Sequence, residues 1–453
     1  MGVRIALAAW LFALISHTPL IGADDPGVRP HILFLLADDL GWGDLACYGH
    51  PRAATPHLDQ LAHDGTRFSQ FYVSMLCSPT RASAITGHYP SRWRIYGHLA
   101  AMADNARRGM PDWLDPQAPS MPRAMQQAGY RTAHFGKWHL GGGSGSYRDG
   151  RVFINHPQAP PVASYGFDVV RATFGNGPTW KLAVPVAAPH DIYPYDDPEW
   201  QTWSSRAIAD ATLEFLTDHT RRHPEQPFLA HVWFKDTHTP MKPTDEMRAP
   251  YRDVPEPQQT HYAMIQFLDQ QIGRILARLE ELGLRDRTLV LFASDNGGVL
   301  NRGSNNGVLR GEKWTLYEGG IRVPFIARWP GQVPAERVDT ASVLNVCDLI
   351  PTFCRLGQAT MPDGYVSDGV DMTDALRGRP FTRSKSMLWY HPTGRGRSPE
   401  LAIRDGDWKL LMNSDGSDIA LYDLKGDVAE QSNLAAKHPD MVAKLRAALD
   451  KRP

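Results

Sequence analysis

The segment HILFLLADD, residues 31–39, joins a continuous apolar run to a pair of adjacent carboxylates. A short continuous apolar run is typical of a strand buried on both faces, as in a parallel sheet covered by helices. Two carboxylates at the end of such a strand repel each other and are costly to bury unless a cation lies there. The segment predicts a buried strand with a cation site at its end, and a solvated Asp turn is the alternative that it leaves open.

Three further apolar runs end in polar side chains that could bind a ligand. They are 130–135 before Lys137 and His139, 227–234 before His238, and 288–293 before Asp295 and Asn296. Amphipathic segments at 56–64, 204–222 and 260–283 predict helices between the strands. In open α/β sheets the site lies beyond the carboxyl ends of the strands. We therefore predict an α/β fold with a mixed, largely parallel sheet, helices on both faces, and one site at the strand ends.

Lys137 and His139 alternate along the chain, so an extended segment would point both side chains the same way. A solvent-facing loop with an unrelated Lys and His is the alternative.

Cys77-Ser78-Pro79-Thr80-Arg81 is the second informative segment. Pro79 favours an extended Ser78 and fits the first turn of a helix that continues through 82–85. Cys77 is then expected just ahead of a helix N-terminus, where free N–H groups favour anions. Taken alone, the pentapeptide is equally compatible with a buried, inert cysteine.

Together, these motifs resemble the type I sulfatase family, which has an alkaline-phosphatase-like fold. The resemblance rests on C-x-P-x-R at 77–81, Gly-Lys-Trp-His-Leu-Gly at 136–141, His-x-Pro at 238–240, and Leu-Arg-Gly-Glu-Lys-Trp at 309–314 with Glu-Gly-Gly at 318–320. One departure is His88, which follows Thr86-Gly87 where the family often has arginine.

The resemblance implies a formylglycine made from Cys77 by a maturation enzyme, with its hydrate as nucleophile on a sulfate ester. It also implies a divalent cation, Ca²⁺ with Mg²⁺ as the alternative, held by Asp38, Asp39, Asp295, Asn296 and the modified residue 77. The hydrate attacks sulfur and expels the alcohol; its second hydroxyl then loses a proton, and sulfate leaves as the aldehyde re-forms.

Further roles follow from the same resemblance. His139 is the expected base when sulfate leaves, and Arg81 and Lys137 are expected to hold hydrate and sulfate oxygens. Lys313 and His238 are expected at the bridging oxygen, one of them protonating the leaving alcohol.

The expected substrate is a sulfate ester of the arylsulfatase type, with a sulfated carbohydrate as the physiological form. Trp93, Trp113, Trp180, Trp200 and Trp203 could stack on sugars or simply pack. One alternative is a phosphonate or phosphate ester hydrolase on the same fold; another is a non-catalytic carbohydrate-binding relative. Phosphatases of this superfamily use Ser or Thr and usually two zinc ions, which the cysteine motif and the Asp/Asn ligand set disfavour.

Composition is ordinary for a globular protein, with 42% hydrophobic and 21% charged residues and a net charge of −1. No overall field selects a nucleic acid or a membrane, so an anionic substrate needs local positive charge. The remaining cysteines, Cys47, Cys347 and Cys354, are expected to be buried free thiols.

Three segments are expected along the chain. Residues 1–23 resemble a signal peptide, with an uncleaved anchor as the alternative, which predicts a secreted or periplasmic protein. Residues 24–375 form the catalytic domain, with an irregular insertion at 150–200 near the site mouth. Residues 376–453 form a small subdomain: an antiparallel sheet of strands near 386–390, 400–404, 408–412 and 420–422, packed by a helix near 438–449.

Overall fold

The computed structural model describes residues 29–141, 159–173, 179–180, 192–193, 198–392 and 398–451. The strands are β1 His31–Ala37, β2 Thr66–Tyr72, β3 Arg131–Lys137, β4 Val169–Thr173, β5 Thr179–Trp180, β6 Ile192–Tyr193, β7 Phe228–Trp233, β8 Thr288–Ser294, β9 Arg322–Arg328, β10 Arg337–Asp339, β11 Leu344–Asn345, β12 Met387–Tyr390, β13 Leu401–Asp405, β14 Trp408–Met412 and β15 Ala420–Asp423. The α-helices are α1 Pro56–His63, α2 Cys77–Thr86, α3 Met102–Arg107, α4 Met121–Gln127, α5 Pro198–Arg222, α6 Asp245–Arg248, α7 Gln258–Glu281, α8 Glu318–Ile321, α9 Leu349–Gly357, α10 Thr373–Leu376 and α11 Pro439–Leu449.

The main sheet has nine strands in the order β10-β2-β9-β8-β1-β7-β3-β4, with β11 also on β2. β8, β1, β7, β3 and β4 are mutually parallel, whereas β9 is antiparallel to both of its neighbours. The predicted mixed, largely parallel sheet is confirmed. Its five parallel strands all end at one edge, which is where the site residues follow.

Both faces of the main sheet are buried, which explains the continuous apolar runs. In β1, Ile32, Phe34 and Leu36 pack on one face, and the intervening Leu33 and Leu35 pack on the other. Each such side chain contributes about 1.5–3 kcal/mol when fully buried. Because both of its faces are packed, β1 is held between two helical layers. The end of the strand then places Asp38 at the carboxyl edge of the sheet.

The small C-terminal sheet runs β12-β13-β14-β15 and is antiparallel throughout. Leu445 and Leu449 of α11 pack on one of its faces, and Trp389 and Leu411 pack from the other face against Tyr72 and neighbouring residues of the catalytic part. The predicted antiparallel sheet with one helix is confirmed. The exact boundary at 375/376 stays a prediction, and residues 1–23 lie outside the described residues.

Two details differ from the sequence predictions. Cys77 is the first residue of α2, with Leu76 as its N-cap, so it lies inside the helix rather than ahead of it. Pro79 fits there because a residue in the first turn needs no intrahelical N–H bond. β4 falls within 150–200, which the sequence predicted as irregular; the rest of that segment lies largely outside the described residues.

Cys47, Cys347 and Cys354 are free thiols, as predicted, although Cys47 and Cys354 are half-buried rather than buried. Across the described ranges, no helix combines the length and the apolar character needed to cross a bilayer.

Candidate active site

Four strand ends meet at the carboxyl edge of the main sheet. Ala37 of β1 is in register with Ser294 of β8, and Leu36 with Trp233 of β7, which is in turn in register with Gly136 of β3. Polar side chains that follow parallel strands in such register are brought side by side. We name the resulting group the edge cluster: Asp38, Asp39, Arg81, Lys137, Asp295, Asn296 and Lys313.

Asp38 is fully buried and bonded to two basic side chains. Its Oδ2 accepts a short hydrogen bond from Lys137 Nζ and lies 3.3 Å from Arg81 Nη2. Arg81 also donates to Asp295 Oδ2, at 2.7 Å from Nη2 and 3.1 Å from Nε, and to the Lys137 carbonyl at 2.6 Å. Its guanidinium lies 5.2 Å from the ring centroid of Trp233. Arg81 therefore joins α2 to the ends of three strands.

Asp39 faces the other side of the cluster. Its Oδ1 accepts hydrogen bonds from Lys313 Nζ and, at 2.8 Å, from Asn296 Nδ2. Its φ of 64° lies in the left-handed region, which Asp tolerates better than most residues and which turns the chain sharply after Asp38. Lys313 Nζ lies 3.8 Å from Cys77 Sγ, so the predicted nucleophile position adjoins the carboxylates.

The donor set fits a hard cation. Asp38, Asp39, Cys77 and His238 each offer one ligand atom, and these atoms lie within 4.8 Å of one another. Asp38 Oδ1 and Asn296 Oδ1 are buried without a hydrogen-bond partner among the described residues. Buried oxygens left unpaired are rare and costly, and a bound cation of the calcium or magnesium class would satisfy them.

The four-residue group differs from the predicted ligand set in two respects. Asp295 is not among its members; its Oδ2 is bonded to Arg81 and its Oδ1 lies 3.3 Å from the backbone N of Asp39. His238, predicted as a catalytic residue alone, lies inside the group, with Nε2 3.6 Å from Asp39 Oδ2.

Charge is balanced in the edge cluster, since three carboxylates face one guanidinium and two ammonium groups. Burial alone raises the pKa of Asp38, but the charges of Lys137, His238, Arg81 and Lys313 outweigh it and hold that pKa well below its usual range. Burial and the charge of Asp38 raise the pKa of Asp295 to about 6. A divalent cation added to this balanced group would leave it net positive, which favours an anionic ester.

The surroundings of Cys77 favour the protonated thiol. Burial raises its pKa to about 11, although Lys137 and Lys313 oppose the shift. With that pKa the unmodified side chain is largely protonated at neutral pH. The thiolate, and not the protonated thiol, is the nucleophilic form of cysteine.

His139 is near the cluster but not in the predicted conformation. Its φ of 54° is left-handed, so the extended segment considered for Lys137 and His139 does not continue to His139. The strand ends at Lys137, and His139 Nε2 lies 3.1 Å from the Leu99 carbonyl. Burial lowers the pKa of His139, which keeps the imidazole neutral and able to accept a proton.

Sequence reasoning missed Lys235, which shapes the His238 loop. Lys235 is buried, and its Nζ donates to the carbonyls of His238 at 3.1 Å and Pro240 at 2.7 Å. Its position directly after β7, in a run of polar residues, was the available signal.

Among the tryptophans considered for sugar stacking, two are engaged in packing. Trp93 stacks on His88 at 5.9 Å between centroids, and Trp203 packs edge-on against Phe267 at 5.5 Å. The side chains of Trp180 and Trp200 lie outside the described residues.

Comparisons with known proteins agree with this geometry. The family model "Sulfatase" matches residues 30–359, and the model "N-sulphoglucosamine sulphohydrolase, C-terminal" matches residues 311–452. Human arylsulfatase A is 31% identical over 437 residues, covering 92% of this chain and 81% of that protein. An N-acetylgalactosamine-6-O-sulfatase of Bacteroides thetaiotaomicron is 28% identical and covers 93% of both chains.

A solved structure of Ps i-CgsB in complex with k-i-k-neocarrahexaose has a TM-score of 0.75 and 25% identity, covering 93% of each chain. The chain therefore belongs to the sulfatase family, has its alkaline-phosphatase-like fold, and is a sulfuric ester hydrolase.

Proposed function

We propose that this protein is a type I sulfatase that uses a formylglycine made from Cys77 and a bound divalent cation, Ca²⁺ before Mg²⁺, to hydrolyse sulfated carbohydrates. The observation that carries the proposal is the position of Cys77. Its Sγ lies within 4.8 Å of ligand oxygens of Asp38 and Asp39 and 3.8 Å from Lys313 Nζ, in the first turn of α2.

The burial of Cys77 argues against the unmodified thiol as the nucleophile. A thiol with a pKa of about 11 contributes little thiolate at neutral pH. An aldehyde hydrate at the same position supplies two hydroxyl groups, one for attack on sulfur and one whose deprotonation releases sulfate. A separate maturation enzyme is the partner that conversion to formylglycine requires.

Asp38, Asp39, Asp295, Asn296 and residue 77 would hold the cation, with His238 beside them. The unpaired oxygens of Asp38 and Asn296 support this assignment. When bound, the cation supplies Lewis-acid polarisation of sulfate oxygens.

The basic side chains surround the position where the sulfate group would bind. Lys137 bonds Asp38 and Lys313 bonds Asp39, so the two lysines flank the site from two sides. We assign Arg81 and Lys137 to hold hydrate and sulfate oxygens, and Lys313 to the bridging oxygen. Each such contact is typically worth about 2–4 kcal/mol in the transition state.

Two histidines carry the proposed proton transfers. His139, neutral because of burial, takes the proton of the second hydroxyl of residue 77. His238 or Lys313 protonates the leaving alcohol. Burial also lowers the pKa of His238, and Lys313 and Lys137 add to that shift. Lys313 is therefore the stronger candidate for a group that is protonated before reaction.

The sugar substrate is supported by relatives. The Bacteroides relative is named for N-acetylgalactosamine-6-O-sulfate chemistry, and the solved Ps i-CgsB holds a neocarrahexaose. We extend a sulfated-glycan substrate to this chain, with arylsulfatase-type activity on small test esters. Export by residues 1–23, to the periplasm or outside the cell, and the division at 375/376 belong to the same proposal.

The experiment is co-expression with a formylglycine-generating enzyme, followed by peptide mass analysis and assay. We expect the mass analysis to show aldehyde in place of thiol at residue 77. In the assay, we expect the protein to hydrolyse one member of a panel of sulfated mono- and oligosaccharides in preference to matched phosphonate esters. Chelation should abolish turnover, and Ca²⁺ should restore it. Fully active protein with an unmodified thiol, or restoration by Zn²⁺ but not Ca²⁺, contradicts the proposal.

A further inference from the structure

Asp44 lies at the end of the turn that follows β1, and its side chain is fully buried. Its Oδ2 accepts hydrogen bonds from the Gly41 backbone N–H at 2.6 Å and the Ser304 hydroxyl at 2.6 Å. His261 Nε2, on α7, lies 3.1 Å from the same oxygen and donates to it, since a carboxylate can only accept. One oxygen thus joins three separate segments of the chain.

The second oxygen joins the same segments through the backbone. Asp44 Oδ1 accepts from the Asn305 N–H at 2.8 Å, and the Asn305 carbonyl accepts from the Gly43 N–H at 2.8 Å. A Cβ on Gly41 would lie 2.4 Å from the Asn305 carbonyl oxygen, and one on Gly298 would lie 3.0 Å from the Gly41 Cα. The two turns therefore pack backbone against backbone, with no space between them for a side chain.

Residues 304–306, which Asp44 holds, are also hydrogen-bonded toward the side of the edge cluster that contains Asn296 and Lys313. Asn306 Oδ1 accepts from the Gly298 N–H at 3.1 Å, and the Gly298 carbonyl accepts from the Lys313 N–H at 3.1 Å. Gly298 comes two residues after Asn296. Through this chain of contacts, Asp44 is connected to both Asn296 and Lys313.

We propose that Asp44 is a positioning residue that sets the separation between the Asp38–Asp39 turn and the Asn296–Lys313 side, and thereby the affinity for the divalent cation. The inference rests on the proposed function, because it takes the edge cluster as the cation site. Asp44 acts through the two turns, since its oxygens are engaged by the four donors.

The experiment is a calorimetric titration of Ca²⁺ into chelator-treated wild-type protein and Asp44→Asn. The amide of the variant places an N–H₂ group against donors that need an acceptor, so the turns separate. We expect Kd for Ca²⁺ to rise by up to the about 10–100-fold that the loss of a direct partner of a metal ligand causes.

Asp269→Asn is the matched control. Asp269 is another buried carboxylate, about two turns further along α7 than His261, and it accepts from the backbone N–H groups of His57 at 3.2 Å and Leu58 at 2.8 Å. Its loss should lower the melting temperature of the chelated protein without changing Kd for Ca²⁺.

If Asp44→Asn does not fold, Ser304→Ala tests the role of Asp44 in its place. It removes one donor and should raise Kd only a few-fold, with the chelated protein melting close to wild type. An unchanged Kd in the folded Asp44 variant, or in Ser304→Ala when that variant must stand in, overturns the inference. Wild-type protein that binds no Ca²⁺ instead refutes the cation assignment itself, and that result is read before any variant is compared.

Discussion

Two buried groups of charged side chains in this protein differ in how completely they are paired. The edge cluster has two oxygens, Asp38 Oδ1 and Asn296 Oδ1, without a partner among the described residues. The second group, which we name the subdomain cluster, consists of Glu318, Lys409 and Glu430 with Tyr72, Arg322 and Arg404, and it lies where the C-terminal sheet packs on the main sheet.

Every carboxylate oxygen of the subdomain cluster lies close to a donor, although Glu430 Oε1 meets Lys409 as an ion pair without hydrogen-bond geometry. Lys409 Nζ lies 2.9 Å from Glu318 Oε1 and 2.8 Å from Glu430 Oε1. Tyr72 donates to Glu318 Oε2 at 2.6 Å, and the Glu318 N–H donates to Glu430 Oε2 at 2.7 Å. A buried group whose carboxylate oxygens all face a cation or another donor holds two parts of a fold together, whereas one with oxygens that face neither has capacity for a ligand. The comparison predicts that damage to the subdomain cluster affects stability and damage to the edge cluster affects catalysis.

Cys77→Ala should show the largest effect, and it should be confined to catalysis. Loss of a nucleophile that no neighbour replaces is expected to lower kcat by about 10⁴-fold or more. The free energy of unfolding should change by only about 1 kcal/mol, because a single small side chain is removed. Turnover of a sulfate ester and denaturant unfolding measure the two effects; a strongly destabilised variant would contradict the division between the clusters.

Lys409→Met should show the opposite pattern. Removing the shared cation leaves Glu318 Oε1 and Glu430 Oε1 without their ion-pair partner, which costs about 3–5 kcal/mol. Denaturant unfolding should reveal this loss, while kcat/KM at a temperature where the variant is folded stays near wild type. A large fall in kcat/KM in the folded variant would show that the two clusters are coupled.

Lys313→Ala tests the same residue type in the edge cluster. We expect kcat to fall by about 30–1,000-fold, equivalent to 2–4 kcal/mol in the transition state. Stability should be affected less than by Lys409→Met, since Asn296 still donates to Asp39 at 2.8 Å. Steady-state kinetics and unfolding curves should be measured for both Lys313→Ala and Lys409→Met. Equal losses of stability in the two variants would contradict the difference between the two clusters.

Glu318→Gln should give the smallest and most pH-dependent effect. Burial alone would raise the pKa of Glu318, but Lys409, Arg322 and Arg404 outweigh it and lower the pKa to about 2. A lowered pKa stabilises the fold above the unfolded-state value of about 4.5, and this stabilisation is lost as the pH falls toward 2.

The variant should therefore be less stable than wild type by about 2–3 kcal/mol at pH 7, and this difference should shrink between pH 4.5 and pH 2. Unfolding curves at several pH values provide the measurement. A difference that is constant with pH would mean that Glu318 is not held ionised by its neighbours.

Prediction from sequence succeeded where a segment carries its own signal. β1 was predicted at its observed bounds because residues 32–37, which follow His31, are apolar on both faces of the strand. β4 was missed because the short Val169–Thr173 strand is recognisable mainly through its pairing with β3. The conformation of His139 was also missed, because a left-handed residue after a strand leaves no periodic pattern.

The sequence by itself determined the sheet, its likeness to sulfatases, and the residue types at each strand end, because hydrophobic periodicity and short motifs are local properties. The tertiary structure decided which of those side chains pair with one another. It engages Asp295 with Arg81, brings His238 to the aspartate pair, and makes Asp44 the link between two distant turns. Within the part of the chain that the structure describes, it also leaves one oxygen each of Asp38 and Asn296 without a partner. Pairing depends on distances between segments more than 200 residues apart, and only packing of the whole sheet sets those distances.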